Sequence, residues 1–169
     1  MKKFDKKIQI KVVKIILIII WMITVFRFSN QGGTESSGAS SRVTNVVVKV
    51  VEKVRNMEFT EQEKNQAELV VRKLAHYTIY TIGGFLIMNY AYTTDKTEKQ
   101  KIGGSVLFGV FYAGTDELHQ YFVPGRSARL FDVGIDTLGV LTGIGIYIAL
   151  RKCIERILRK NAEELKTKM

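Results

Sequence analysis

Seventeen consecutive residues, Val12 to Phe28, read VVKIILIIIWMITVFRF, with only Lys14 and Arg27 as charges. A block of this length and apolarity matches the roughly 17–25 residues that cross about 30 Å of hydrocarbon. Both charges lie close enough to its ends to snorkel. Three further blocks follow, from about Leu74 to Tyr92, from Ile102 to Val123 and from Phe131 to Leu150, and the last holds only Asp132 and Asp136 as charges. The expected fold is all-α. It is a polytopic membrane protein with four transmembrane helices and an extracytoplasmic amphipathic helix between the first two.

The 169 residues suit one domain. Its expected parts are a basic N-terminus over 1–11, a four-helix membrane domain over 12–150 and a basic tail over 151–169. The spans fall at about 12–28, 74–92, 102–123 and 131–150, with an outer segment over 29–73. A Lys-rich start followed by a short apolar core also describes a secretory signal. No small-x-small cleavage site follows Phe28, which favours an uncleaved anchor. Lys and Arg number 26 against 16 Asp and Glu, a formal charge of +10. Basic residues cluster before the first span (Lys2, Lys3, Lys6, Lys7, Lys11, Lys14), between spans two and three (Lys96, Lys99, Lys101) and along the tail from Arg151 to Lys168. Four spans put all three clusters on one side, and the positive-inside bias makes that side cytoplasmic, both termini included. No aromatic interleaving or recognition motif accompanies these charges, so no nucleic acid is expected as a partner. One cysteine, Cys153, excludes an internal disulfide and a Cys-rich zinc site.

The outer segment opens with Ser29-Asn30-Gln31-Gly32-Gly33, read as a turn, and a Ser/Gly stretch to Ser41. Val43, Val47, Val50, Val54 and Met57 then recur at helical spacing, which suits an amphipathic helix lying on the outer membrane surface. Valine also favours strands, the competing reading. Thr60 with Glu63 forms a capping box for a helix running on into the second span. Pro124 to Leu130 is a tight turn between spans three and four.

Ionisable residues inside spans are costly and tend to mark function. Here they share one depth. Lys73, His76, Tyr77 and Tyr80 begin span two; Asp116, Glu117, His119 and Gln120 end span three; Asp132 and Asp136 open span four. Asp132, Asp136, Gly139 and Gly143 form one helical stripe in which the glycines admit a close neighbour and turn both acids toward the bundle. Gly109, Ala113, Asp116 and Gln120 form a similar stripe, with His119 one position aside. Each feature has a plainer reading: GxxxG as packing, Asp132 as a helix cap, Glu117 facing another helix or the headgroups, Arg126 as a topological charge. Their coincidence in depth favours a single outward-facing polar pocket.

The strings Asp116-Glu117-Leu118-His119-Gln120 and Phe122-Val123-Pro124-Gly125-Arg126, then Asp132-Val133 and Asp136 before Gly139 and Gly143, resemble the VanZ-like membrane protein family. Lys73, His76 and Tyr80, and Ser29, Gln31 and Gly32 of a Ser-x-Gln-Gly ending, extend the resemblance over Val12 to Leu150. It implies a bacterial cell-membrane location and a link to low-level glycopeptide (teicoplanin) resistance. A wider kinship with lipid headgroup-processing enzymes, including base-exchange phosphatidylserine synthases, would make the pocket an active site.

The expected activity is that of a lipid headgroup transferase or hydrolase acting on an outer-leaflet lipid or lipid-linked cell-wall precursor. Candidate catalytic residues are His76, Asp116, His119 and Asp136. Lys73, Tyr80, Glu117, Gln120, Arg126 and Asp132 are candidates for substrate binding, the cations because a phosphodiester needs its charge neutralised. Asp116, His119, Asp132 and Asp136 could alternatively hold a divalent cation, whose oxygen and imidazole ligands they supply. A non-catalytic binder of lipid or lipoglycopeptide is the second reading. A proton- or ion-coupled carrier is the third, weakened by the lack of polar waypoints in the inner halves of the spans. The oligomeric state stays open.

Overall fold

The computed structural model describes residues 6–30, 33–126 and 129–167. They form five helices and no strand: α1 (Lys6–Ser29), α2 (Gly33–Arg55), α3 (Glu61–Ala91), α4 (Glu98–Tyr121) and α5 (Leu130–Thr167). Two of these, α1 and α5 as far as Leu165, are long and apolar enough to cross a membrane. The other two expected spans lie in α3 and α4, whose apolar runs are diluted by the polar stretch Glu61–Lys73 and by Asp116–Gln120.

Local signals set most of the helix ends. Thr60 caps α3 reciprocally with Glu63, and Thr97 caps α4 in the same way with Gln100, a second capping box that the sequence reading did not mark. The hydrogen bonds from Thr60 hold the Glu63 carboxyl below its ordinary pKa. Asn56 turns the chain after α2 with φ 52°, a left-handed conformation that Asn tolerates well. Glu52 secures this corner by accepting from the Phe59 backbone N–H at 2.9 Å.

One expectation changes and two are sharpened. The Ser/Gly stretch is helical from Gly33, while Gln31 and Gly32 lie outside the described residues, as do Lys2, Lys3, Ser127, Ala128 and Lys168. The helix α5 continues through the basic tail, with an Arg151–Glu155 ion pair at 2.8 Å. The outer helix forms, but Thr44 and Val48 are its buried residues, and Val43, Val47, Val50 and Val54 are exposed. Its partner is α3, to which Ser41 donates through Glu68 at 2.7 Å.

The hub is α3, which touches each of the other helices and packs most extensively on α5. Glycines make that contact. A Cβ on Gly143 would strike the Thr81 carbonyl and the Phe85 amide; one on Gly139 would meet the Tyr77 carbonyl at 2.5 Å; one on Gly84 would strike the Val140 backbone. Small residues let two helix backbones approach this closely. Trp21 of α1 seals the other side. It donates from Nε1 to the Ile79 carbonyl at 2.8 Å and lies edge-on to Tyr80 and tilted against Tyr112. Trp21, Tyr80, Met88, Ala113, Val140 and Ile144 form the buried core around these contacts.

Gly143→Ala and Gly84→Ala are each expected to lower stability by about 1–3 kcal/mol, the usual effect of overpacking a fixed contact. Gly145, which faces open space, is the control: its change to Ala should be neutral or stabilising by up to about 1 kcal/mol through helix propensity. Thermal melts of the purified variants in detergent, followed by Trp21 fluorescence, check both.

Candidate functional site

α3 and α5 run side by side in the same direction, so their polar residues pair in register. Beside the glycine contact Tyr77 Oη donates to Thr142 Oγ1 at 2.9 Å. One turn above it His76 Nδ1 faces Asp136 Oδ1 at 3.6 Å, and a further turn on Lys73 Nζ bonds Asp132 Oδ1 at 2.9 Å. Lys73 also sits 4.6 Å over the Phe131 ring. Asp132 is thus an ion-pair partner as well as a first-turn carboxylate of α5.

The end of α4 closes the third side. Asp116, Glu117 and Gln120 are all buried. Gln120 Nε2 donates to Asp116 Oδ2 at 3.1 Å and to Ser29 Oγ at 3.3 Å. Arg126 reaches back from the α4–α5 loop, donating to Gln120 Oε1 at 3.3 Å and to the Phe28 carbonyl at 2.9 Å. Partial burial lowers the pKa of its guanidinium, which remains charged at any physiological pH. Glu117 turns toward α5 and accepts from the Arg129 backbone N–H.

A cavity of about 110 Å³ lies between these helices, lined by Lys73, His76, Glu117, Gln120, Arg126, Asp132 and Asp136, with Arg72 and Arg129 beside them. Two of the lining residues, His76 and Asp136, meet Asp116 of α4, which is buried behind the lining, with one ligand atom of each within 4.8 Å of the others. Tyr80 is fully buried beneath them. The lining thus combines four basic side chains, the carboxylates of Glu117 and Asp132, and the His76–Asp136 pair.

One sequence candidate sits elsewhere, and a second lines the cavity but is already paired. His119 stacks on Phe26 of α1 with ring centroids 4.6 Å apart, and it does not line the cavity. Asp132 is taken by Lys73. The four-residue cation set Asp116, His119, Asp132 and Asp136 is therefore not assembled, and among the described residues His76 stands in for His119 and Asp132. The α4 positions 116 and 119 lie about 60° apart around the helix, enough for α1 to claim one and α5 the other. Arg72 and Arg129 were missed. Arg72 precedes His76 by one helical turn, which was the available signal; Arg129 sits in the turn, where periodicity says nothing.

Gln120 is the joint between α1, α4 and the loop. Gln120→Leu should destabilise the chain by about 1–3 kcal/mol by stranding Asp116 and Ser29. Ser29→Ala should add little on top of it, and a double-mutant cycle on thermal stability measures that coupling.

Compared with known proteins, residues 14–151 match the family model described as VanZ/LLP1. No curated protein and no solved structure matches the chain.

Proposed function

The chain belongs to the VanZ/LLP1 family, and we propose that it spans the membrane four times and uses its polar pocket on the phosphate-bearing head of an outer-leaflet lipid or lipid-linked cell-wall precursor. The observation that carries this reading is the stacked arrangement of the pocket. Lys73, Arg72, Arg126 and Arg129 line it together with His76 and Asp136, and Asp116 stands behind that pair within reach of both. Cations at that position suit a phosphodiester, and an acid–imidazole floor suits activation of an attacking hydroxyl or water.

Four spans are supported by the outward faces of the helices. Ile16, Ile20 and Ile23 on α1, Ile82 on α3, Leu107 and Phe111 on α4, and Leu138 and Leu141 on α5 are all exposed. Apolar surface on this scale around a whole bundle suits lipid contact. The exposed valines of α2 suit a helix resting on the outer surface. With both basic ends cytoplasmic, the pocket opens outward, where family membership makes altered teicoplanin susceptibility a natural phenotype.

Expression of the chain should change the headgroup composition of the membrane lipids or precursors, read by comparative lipid mass spectrometry against cells lacking it. Lys73→Gln with Arg126→Gln should insert at the wild-type level and abolish the change, and His76→Ala should reduce its rate by about 10²–10⁴-fold. A lipid profile that responds to none of these substitutions excludes the headgroup reaction. A lipid that co-purifies unaltered, with no product, would instead identify a binder.

Impermeant thiol labelling of single-cysteine variants tests the topology. Positions in 41–60 should label from outside intact cells and positions in 93–101 should not. The reverse pattern would place the pocket on the cytoplasmic face.

A further inference from the structure

We propose that His76, Asp116 and Asp136 together hold one divalent cation of the first transition row at the floor of the pocket. The site deepens the headgroup reading and depends on it only for the chemistry the ion would serve.

The three ligand atoms come from three different helices and lie within 4.8 Å of one another. Cation–ligand bonds of about 2.1 Å put neighbouring ligand atoms roughly 3–3.5 Å apart, a contraction that modest side-chain rotations supply. Two carboxylates would suit calcium or magnesium equally well, but an imidazole beside them shifts the preference toward manganese, iron or zinc.

Burial makes the case stronger than proximity does. Asp136 is 1% exposed, and both of its carboxylate oxygens are buried with no hydrogen-bond partner. Asp116, 5% exposed, faces it across the floor. Two acids confined together out of water need a cation between them or a proton. Lys73 and Arg126 bond elsewhere, to Asp132 and to Gln120 and the Phe28 carbonyl, which leaves only the His76 imidazole, 3.6 Å from Asp136, beside two carboxylates.

A second group outside the acid pair points to the same place. The Tyr80 hydroxyl, fully buried, makes no well-aligned hydrogen bond and has Asp116 and Asp136 as its polar neighbours. A water carried on the ion would satisfy it. Asp116 also has the outer support typical of a metal ligand, since Gln120 fixes one oxygen and is itself held by Ser29 and Arg126. An ion here would polarise a phosphate ester and acidify a bound water.

The test titrates Mn²⁺ into the full chain, purified in detergent and stripped with chelator, and follows the loss of the free-ion electron paramagnetic resonance signal. One Mn²⁺ per chain is expected, displaced by Zn²⁺, which stands higher in the Irving–Williams order. His76→Ala and Asp136→Asn should each weaken binding at least tenfold, while His119→Ala should leave it within about twofold. Asp136→Asn is nearly isosteric and relieves the crowding of two buried carboxylates, so its ion-free melting temperature should equal or exceed that of the unaltered chain. This shows that lost binding is not lost folding. Absence of Mn²⁺ and Zn²⁺ binding, undiminished binding in Asp136→Asn, or loss in His119→Ala with retention in His76→Ala would overturn the site. The two proposals fail separately: a lipid change without ion binding removes only the ion site, and stoichiometric binding without a lipid change removes only the headgroup reaction.

Discussion

Close contact between the backbones of α3 and α5 fixes the geometry of everything polar in this protein. Gly139 and Gly143 lie against the Tyr77 and Thr81 carbonyls with no room for a Cβ, and Gly84 meets Val140 in the same way from the other side. Because the two helices run parallel, this contact sets their register as well as their distance. From it His76 must stand opposite Asp136, and Lys73 opposite Asp132. A helix pair held apart by ordinary side chains would leave these groups too far apart to meet.

The remaining helices complete what that pair begins. α4 supplies Asp116 and Gln120 from a stripe that starts with Gly109, where a Cβ would strike the Val140 side chain. α1 contributes Trp21, which ties to the Ile79 carbonyl, and Ser29, which ties to Gln120. The loop after α4 returns Arg126 to the end of α1 through the Phe28 carbonyl. The pocket is therefore built by four helices and one loop, yet its polar atoms are held by few contacts. Buried polar groups in such an environment are strong where satisfied and costly where not, which is why the orphaned Asp136 and Tyr80 atoms carry so much meaning.

Much of this was legible in the chain. The α5 stripe of Asp132, Asp136, Gly139 and Gly143 obeys helical periodicity, and periodicity alone fixes which residues share its face. The same argument put Lys73 and His76 at the level of the α5 acids, and they stand opposite Asp132 and Asp136. Periodicity does not say which neighbour faces a given side. His119 and Gln120 flank the direction of Asp116, and only the position of α1 decides that Phe26 takes His119 while Gln120 joins the floor. The same limit explains α2: its valine stripe marked an apolar face correctly, but the face against α3 is the one bearing Thr44 and Val48. Helix continuity was under-read at the Ser/Gly stretch, whose composition argues for a loop, whereas α2 runs through it from Gly33.

The other end of the bundle shows why a one-sided site is the coherent reading. A groove of about 340 Å³ lies there among Ile15, Ile18, Ile19, Ile87 and Phe108, with Lys96 and Lys101 at its edge. It is apolar where the first cavity is polar. Between the two stands the packed layer of Trp21, Tyr80, Met88, Ala113, Val140 and Ile144. An ion or polar solute passing from one cavity to the other would have to part a layer locked by the α3–α5 glycine contacts, and protein interiors packed to this density do not deform gradually. A fixed, close-packed floor is poorly suited to alternating access. It is well suited to holding two acids, an imidazole and a tyrosine hydroxyl at constant separation beneath a cationic rim, as chemistry on a headgroup presented from one face requires.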